Sequence, residues 1–507
     1  MGICDFTVYD FICNNAKFFP NRYSVVSNDV RLTHKEFKER CDKVAAGLSR
    51  SGITKGDRIG IVAHNCDEFM VLYGAAAKIG AILLPVNWRL QQSEVEYILK
   101  DCNPKVVFAG SEYREMITEM ARKVKSIENC YTIGGGEVSE GFLPFEGLYS
   151  GEKANKEIHI SADSGFVIIH TAAMESHPRG ALLSQANIIF INLMSIQQYH
   201  LGPDDCNICI LPLFHAAGIV TAMAVMHAGG KNVVVEAFDP ELTLQLIQKE
   251  RGTIFFNFSP ILKMIMDRYD KGSYDISSIR NVMGLDSPEN IRRFLNIVPE
   301  AKYWSGYAQT EAMDISTCLF DEKPGSVGKS SLLTRVVLLD NDEKEVPVGT
   351  PGEICVHSPA VFCGYWGKDD DSAYTFRNGW HHTGDIGVFN EEGYLYYVKR
   401  KAEKELIKTG GENVYPAEVE KVILDHECVA ETCVIGVPDT QWGEAIKAIC
   451  VIKPGRSLDS GELINFVASK IARYKKPKYV VYVDALPKTD DGEIDRDQVR
   501  KEFGGKL

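Results

Sequence analysis

The sequence lacks the features that would place it in a membrane, outside the cell or on nucleic acid. No apolar run reaches the roughly 18 residues that a membrane-spanning helix needs. No basic and then apolar leader opens the chain, and the first residues, MGICDF, lack the hydroxyl residue of a myristoylation signal. The net charge is −13, so a phosphate backbone is not expected as the main partner. We therefore expect a cytoplasmic protein without a membrane span that does not bind nucleic acid.

The chain has too few cysteines for a fold that disulfide bonds hold together. The chain has 14 cysteines in 507 residues, which does not resemble a disulfide-rich domain, and reduced thiols are expected. The remaining composition is that of an ordinary globular protein, with 45% hydrophobic and 25% charged residues, which argues against disorder. A chain of this length exceeds what one core usually organises, so two or more domains are expected.

The order of apolar patterns predicts an α/β fold. Residues 32–50 have apolar positions at helical spacing, and Thr33 stands three residues before Glu36, as in a capping box. Strand and helix patterns then alternate to about residue 300, which predicts βαβ units and mostly parallel sheets covered by helices.

The pattern changes in the last third of the chain. After Gly325, short strand patterns joined by Gly and Pro turns predict a small β-rich subdomain. The final hundred or so residues mix helices and strands, as in a small α+β domain. We predict a large N-terminal domain of residues 1–400 and a small C-terminal domain of residues 401–507.

One loop keeps the flanking residues of a phosphate-binding loop, but the residues between them do not suit a phosphate. The segment HTAAMESHPRGALLS, residues 170–184, keeps Thr171, Arg179 and Gly180, whose hydroxyl, charge and backbone suit an anion. Its middle carries Met174 and Glu175. A carboxylate about 4 Å from a phosphate charge costs roughly 4 kcal/mol at an effective dielectric near 20. Considered alone, this loop is a poor phosphate site.

Four other segments change that interpretation. They are LPLFHAAG with His215, SGYAQTEA with Glu311, GWHHTGDIG with Asp385, and KELIKTGGENVYPAEVE, which follows the predicted domain boundary. An aspartate in a tight glycine turn suits a ribose diol, because it accepts two hydroxyl donors.

In this order and spacing the motifs resemble the adenylate-forming superfamily, which includes acyl-CoA synthetases, firefly luciferase and peptide-synthetase adenylation domains. The resemblance runs from about residue 5 to residue 500 and is closest to medium- and long-chain or aryl acyl-CoA ligases. It implies ATP, Mg²⁺ and CoA as cofactors and a carboxylic acid as substrate. A carboxylate would attack the α-phosphate of ATP to give an acyl-adenylate, and the thiol of CoA would then displace AMP.

The resemblance also implies roles for single residues. Thr310 would contact the α-phosphate, Glu311 would hold Mg²⁺, and His215 would border the acyl pocket. The nucleotide and CoA would be bound by residues of the matching motifs: Asp385 and Arg400 at the ribose, Gly284, Tyr307 and Gln309 around the adenine and phosphates, Thr171 and Arg179 at the phosphate loop, and Gly410, Gly411 and Glu412 beside the pantetheine arm.

This sequence departs from the family pattern in three places. The phosphate loop reads T-A-A-M-E-S-H-P-R-G where the family has T-S-G-T-T-G-x-P-K-G. Near the C-terminus, PKTDDGEID places Glu493 where the family has a lysine that bridges carboxylate and phosphate during adenylation. The segment RKAEKELIK at the hinge is two residues longer than usual. The first two departures both affect the activation of the acid.

Three hypotheses follow. The chain is a working acyl-CoA ligase in which Arg179, with Lys488 or Lys404, supplies the missing charge; or it performs part of the reaction on acyl-AMP or acyl-CoA; or it only binds such ligands. The ligase fits most of the chain and is placed first. Ala308, where the family often has glycine, suggests a narrower pocket for a medium-chain, cyclic or aryl acid. The sequence does not fix the oligomeric state, and a homodimer is left open.

Overall fold

The computed structural model describes residues 5–150, 159–171, 178–400, 406–410, 412–439, 441–489 and 493–505. Within these ranges no helix is long and apolar enough to cross a membrane.

The helix expected within residues 32–50 is confirmed, with its cap. Helix α2 starts at His34, the Thr33 hydroxyl accepts from the Glu36 amide, and the Glu36 carboxylate accepts from the Thr33 amide. Such caps contribute about 1 kcal/mol because they satisfy amides that lack helical partners. The α-helices of the described residues are α1 Val8–Phe18, α2 His34–Arg50, α3 Asp67–Ile79, α4 Gln92–Cys102, α5 Arg114–Lys123, α6 Gln185–Tyr199, α7 Ala216–His227, α8 Pro240–Glu250, α9 Ile261–Tyr269, α10 Pro288–Ile297, α11 Asp369–Thr375, α12 Pro416–Leu424, α13 Ser460–Lys470 and α14 Arg496–Phe503.

The strands of the described residues fall into four sheets. They are β1 Tyr23–Ser27, β2 Val30–Thr33, β3 Arg58–Val62, β4 Ile82–Pro85, β5 Val106–Ala109, β6 Asn129–Thr132, β7 Gly165–Thr171, β8 Arg179–Ser184, β9 Cys206–Cys209, β10 Lys231–Val234, β11 Ile254–Phe258, β12 Asn281–Leu285, β13 Lys302–Gln309, β14 Ala312–Leu319, β15 Lys329–Ser330, β16 Arg335–Leu339, β17 Gly352–His357, β18 Phe376–Arg377, β19 Trp380–Phe389, β20 Leu395–Arg400, β21 Ile407–Thr409, β22 Glu412–Val414, β23 Val429–Asp439, β24 Gly443–Ile452 and β25 Tyr479–Val483.

Two large sheets form the N-terminal part, and both are mostly parallel, as predicted. The first has the order β15-β14-β13-β12-β11-β9-β10-β1-β2, with antiparallel strands only at its edges. The second has the order β6-β5-β3-β4-β7-β8 and is parallel except for the pair β7 and β8. Strands of both sheets and helices α1, α2, α3, α6 and α7 share one apolar core.

Helix α7 shows why the layers are arranged in this way. Every residue from Ala216 to Met226 is buried, so the helix has no polar face for solvent. A helix that is apolar all round is stable only inside a protein, and α7 accordingly contributes to the core that both large sheets share. Its first turn reaches the edge of the first sheet at which the parallel strands end.

The β-rich and α+β parts expected from the sequence are also present. Strands β16 to β20 form one antiparallel sheet, in the order β16-β17-β19-β18 with β20 beside β19. Strands from residue 407 onward form the fourth sheet, in the order β22-β21-β24-β23 with β25 beside β24. Helices α12 and α13 cover it. We refer to residues 406–505 as the small domain.

Ion pairs join the small domain to the second sheet's helix α4. The Lys475 ammonium is buried between two carboxylates, at 2.6 Å from Glu94 and 2.6 Å from Glu418. Arg89 forms a further ion pair with Glu412 of the small domain. Such buried, paired charges fix the orientation of surfaces more than they add stability.

Candidate active site

A cavity of 790 Å³ lies between the first sheet and the small domain. Ligands of open parallel sheets bind outside the carboxyl ends of the strands, and this cavity is at that edge. Phe258, Gly284 and Gln309, each at or next to the end of a strand, form part of its wall. The small domain contributes a set of residues to the opposite wall, including Lys408, Asn413, Trp442 and Gly443.

Glu311 is held at the polar end of the cavity by two hydroxyl groups. Thr310 and Glu311 form the two-residue turn between β13 and β14, which presents both side chains at the edge of the sheet. Thr171 Oγ1 donates to Glu311 Oε1 at 3.1 Å, and Tyr365 Oη donates to the same oxygen at 2.9 Å. The second oxygen takes no hydrogen bond from the described residues. A carboxylate with one available oxygen suits a hard cation such as Mg²⁺.

Thr171 and Arg179 face each other at the base of the phosphate loop. They are paired across β7 and β8, so the loop of residues 172–177 is the connection of this hairpin. The loop itself, with Met174 and Glu175, lies outside the described residues. The Arg179 guanidinium stacks on the Tyr365 ring at 4.1 Å and approaches Asp371 to 3.5 Å. Arg179 therefore places a positive charge at the cavity wall, beside the partner of Glu311.

Asp385 is completely buried and accepts hydrogen bonds from three side chains that line the cavity. Tyr307 Oη donates to Oδ2 at 2.5 Å, Gln309 Nε2 donates to Oδ2 at 2.7 Å, and Arg400 Nε donates to Oδ1 at 2.7 Å. Burial, with Asp385 beside it, raises the pKa of Tyr307 above its usual value, so the phenol remains a donor. The structure thus brings together four residues that the sequence predicted at the nucleotide, with Asp385 behind the other three.

Gly284 lets two strands approach each other at the cavity. Its φ is +141°, and a Cβ atom there would lie 1.9 Å from the carbonyl oxygen of Asn257 on β11. Any larger residue would push β11 and β12 apart, at the edge where Gly284 and Tyr307 form neighbouring parts of the wall. The contact of Gly284 with adenine stays a prediction.

His215 caps helix α7 at the centre of the cavity wall. Its Nδ1 accepts a hydrogen bond from the Ala217 amide at 3.3 Å, and its ring meets the edge of Phe258 at 5.9 Å. Burial lowers the pKa of His215, so the imidazole is neutral at pH 7. The side chain has a role in the helix cap as well as a place at the cavity.

The far end of the cavity is mostly apolar. Tyr199 and Trp304 meet edge to face at 5.5 Å, and Phe256, Val220 and Met283 also line this end. Flat rings and short aliphatic groups of this kind complement an aromatic or cyclic ligand. We call this part of the cavity the acyl pocket.

In the glycine segment of the small domain, residues 408–413, Gly410 lies against Trp442, which lines the cavity. The Gly410 amide donates to the Trp442 carbonyl at 3.2 Å, and a Cβ on Gly410 would lie 2.9 Å from the Trp442 ring. Glu412 is paired with Arg89, and Gly411 lies outside the described residues. The assignment of these residues to a pantetheine arm stays a prediction.

Glu493, at the position of the family's adenylation lysine, lies outside the cavity wall. Its side chain is exposed. Lys488, one substitute suggested by the sequence, is paired with Glu431 at 2.8 Å on the same domain. The other, Lys404, lies outside the described residues. In this arrangement the cation that the small domain brings to the cavity wall, within its described part, is Lys408.

Sequence reasoning missed three residues of the site. Tyr365, which holds Glu311, comes from a connection that carries no recognised motif here. Desolvation at the cavity wall, together with the charge of Arg400, lowers the pKa of Lys408. Trp442 of the small domain also lines the cavity. Lys408 stands two residues before Gly410 in the glycine segment, and that spacing is the signal that could have identified it.

Comparisons with known proteins agree with this geometry. The family model described as AMP-binding enzyme matches residues 13–366, and the model described as AMP-binding enzyme C-terminal domain matches residues 418–493. A feruloyl-CoA synthase from Amycolatopsis is 30% identical over an alignment of 497 residues, which covers 96% of this chain and 97% of that protein. An indoleacetate–CoA ligase from Aromatoleum aromaticum is 30% identical over 503 residues, 97% of each chain.

A solved structure has the same overall fold. An o-succinylbenzoate CoA synthetase from Bacillus subtilis, a double mutant bound with a product analogue, superposes with a TM-score of 0.85. The two sequences are 25% identical, and the alignment covers 98% of this chain and 99% of the other.

Proposed function

The chain belongs to the family of AMP-binding enzymes, and from this premise we propose how its cavity works. The protein is an AMP-forming acyl-CoA synthetase, an acid–thiol ligase. One observation carries the assignment to this cavity: the Glu311 cluster and the Asp385 cluster lie on the wall of one cavity whose far end is apolar. A nucleotide and an acyl group can therefore meet there. ATP and CoA are the proposed co-substrates, and the cytoplasm, which supplies both, is the proposed location.

The activation step requires charge stabilisation at the polar end. An oxygen of the substrate carboxylate forms a bond to the α-phosphorus of ATP, and the bond from that phosphorus to pyrophosphate breaks. Glu311 would hold Mg²⁺, which offsets the phosphate charge when bound. Thr310 would donate to the α-phosphate, and Arg179 would face the departing pyrophosphate.

The second step transfers the acyl group. The sulfur of CoA bonds to the acyl carbon, and the bond to AMP breaks with the nucleotide oxygen as leaving group. We propose that Gly410, Gly411 and Glu412 line the path of the pantetheine arm. In the structure Glu412 pairs with Arg89 of the large domain, and Gly410 lies against Trp442 of the cavity wall. We propose that this arrangement serves thioester formation, since Glu493 lies outside the cavity wall.

An aromatic acid is the proposed substrate class. The acyl pocket has Trp304, Tyr199 and Phe256 in its wall, and Ala308 narrows the cavity near the turn. Two relatives that match along nearly the whole chain are named for aromatic acids, feruloyl and indoleacetate.

Removal of the Tyr365 hydroxyl is expected to weaken the Glu311 cluster. In Tyr365→Phe, Glu311 loses one of its two hydrogen bonds. The loss of one such bond is expected to slow the activation step about tenfold. We expect kcat for pyrophosphate release to fall by that factor and the Mg²⁺ concentration at half-maximal rate to rise. The matched control is Tyr374→Phe, an exposed tyrosine outside the cavity wall. A variant with unchanged kcat and unchanged Mg²⁺ dependence would remove Glu311 and Tyr365 from the metal site.

A second function is favoured by one observation. Glu493 reverses the charge at the position of the adenylation lysine, so the chain could be a family member that starts from an acyl-adenylate or a thioester. Calorimetric titration with Mg-ATP, AMP and CoA separates the two functions. Binding of Mg-ATP supports acid activation. Binding of AMP or CoA without Mg-ATP supports the partial reaction, and binding of none of the three contradicts both.

A further inference from the structure

The acyl pocket contains a carboxylate that the proposed reaction does not use. Asp314 lines the cavity together with Ser195 and with apolar side chains such as Val220 and Trp304. A carboxylate in apolar surroundings is unfavourable unless it finds partners. Burial raises the pKa of Asp314 to about 6, which reflects this cost. A reason for its presence is therefore required.

Asp314 lies well beyond the reacting end of the cavity. It follows Glu311 by three residues, near the start of β14, and an extended strand rises about 3.3 Å per residue, so at most roughly 10 Å of main chain separates the two. A group recognised by Asp314 is therefore at the end of the acid that is remote from its carboxylate. That distance corresponds to an acid built on a ring and a short chain.

The local hydrogen bonds leave Asp314 with room for a donor. Ser195 Oγ donates to its Oδ2 at 2.9 Å, and this is the one side-chain hydrogen bond to the carboxylate among the described residues. Two neighbouring hydroxyls of the cavity wall donate elsewhere: Thr221 to the Ala217 carbonyl at 2.8 Å, and Thr317 to the Ser305 carbonyl at 3.0 Å. An apolar acyl group would therefore cover a carboxylate with one partner.

Backbone conformation alone does not explain the aspartate. Asp314 has a φ of +50°, a left-handed conformation that Asp, Asn and Gly adopt most easily. Asparagine or glycine would satisfy this backbone without placing a charge in the pocket. The charge therefore indicates recognition.

We propose that the substrate acid carries a hydrogen-bond donor, a hydroxyl or an ammonium group, at the end remote from its carboxylate, and that Asp314, oriented by Ser195, accepts from it. This inference rests on the proposed function. Sites built around a polar substrate group reject analogues that lack it, because the buried partner is then left unsatisfied. Asp314 is thus a specificity-determining residue of the acyl pocket.

The test uses three acids of nearly equal size. They are 4-(hydroxymethyl)cinnamate, 4-(aminomethyl)cinnamate and 4-ethylcinnamate, each also prepared as a stable acyl-sulfamoyl-adenosine. The adenosine conjugates bind without chemistry, so their affinity is measured by calorimetry even if activation is slow. We expect the full-length protein to bind a donor-bearing conjugate on the order of 10- to 100-fold more tightly than the ethyl conjugate. Whichever of the hydroxymethyl and aminomethyl conjugates binds more tightly shows whether the substrate acid carries a hydroxyl or an ammonium group.

Two variants and a control assign the preference to Asp314. Asp314→Gly keeps the backbone conformation and removes the carboxylate, and the preference should disappear. Asp314→Asn keeps an acceptor without charge, and the aminomethyl conjugate should lose about tenfold more affinity than the hydroxymethyl conjugate. Thr221→Val, on the same wall, should keep the preference ratio of the parent.

The outcomes are distinct. Affinities of the three conjugates within about threefold of one another, or an unchanged ratio in Asp314→Gly, would overturn the assignment and leave the proposed function intact. If no conjugate binds, the proposed function fails, and this inference fails with it.

Discussion

In Asp385→Ala, AMP affinity falls by on the order of 10²- to 10⁴-fold, the largest effect that we expect from a single substitution. The carboxylate holds Tyr307, Gln309 and Arg400 in place and is the proposed acceptor of the ribose hydroxyls. Two hydrogen bonds to a charged group are worth about 3–6 kcal/mol together. The loss also leaves Arg400, whose side chain is 18% exposed, without its partner. We therefore expect the free energy of unfolding of Asp385→Ala to be about 3–5 kcal/mol lower than that of the parent protein.

Because three donors lie between Asp385 and the cavity, a loss of AMP affinity alone does not distinguish a direct ribose contact from positioning of the donors. A second nucleotide is therefore needed. In the described structure each of its oxygens already accepts from Arg400, so a ribose hydroxyl must displace or share a donor. Titration with AMP and with 2′-deoxy-AMP separates direct contact from positioning. If Asp385 contacts ribose, the penalty for the missing hydroxyl disappears in Asp385→Ala, whereas a purely positioning role leaves that penalty. Unchanged AMP affinity in a folded variant would contradict the ribose assignment altogether.

Glu493→Lys is expected to accelerate acid activation by about 10²- to 10³-fold. The family resemblance places a lysine there to bridge the attacking carboxylate and the α-phosphate, and this chain has a negative charge instead. Because Glu493 is exposed and outside the cavity wall, the substitution leaves the arrangement described here as it is. We expect the new lysine to reach the phosphate after a rotation of the small domain about its hinge. We therefore expect pyrophosphate release to rise while the transfer of a preformed acyl-adenylate to CoA keeps its rate.

A charge-matched variant separates local chemistry from net charge. Glu502→Lys changes another exposed glutamate of the small domain and should leave both half-reactions as they are. If Glu493→Lys brings no gain while the parent enzyme activates acids, another cation fills the role. Lys408, already at the cavity wall, is then the first residue to replace.

The layered fold was readable from the sequence because its signals are local. The spacing of Thr33 and Glu36 predicts the start of a helix. Alternating strand and helix patterns predict parallel sheets covered by layers of helices. Motif residues such as Glu311 and Asp385 could be placed at the site for the same reason. Each stands in a short segment whose pattern is recognisable without knowing what it contacts.

The contacts between segments were not readable. Tyr365 reaches Glu311 from a part of the chain 54 residues away, and the role of Asp314 depends on a hydrogen bond from Ser195 of helix α6. The desolvation that lowers the pKa of Lys408 likewise cannot be derived from its sequence segment. Tertiary packing determines such partnerships, and a single sequence records only their members.

The most direct measurement of the central claim follows the fate of ATP. The purified protein is incubated with Mg-ATP, CoA and 4-(hydroxymethyl)cinnamate, and AMP, pyrophosphate and the acyl thioester are quantified together. An AMP-forming acyl-CoA synthetase predicts that the three products appear in equal amounts and that none forms when the acid is omitted. Thioester formation accompanied by ADP and phosphate, or no thioester from ATP with any of the three acids, would contradict the account.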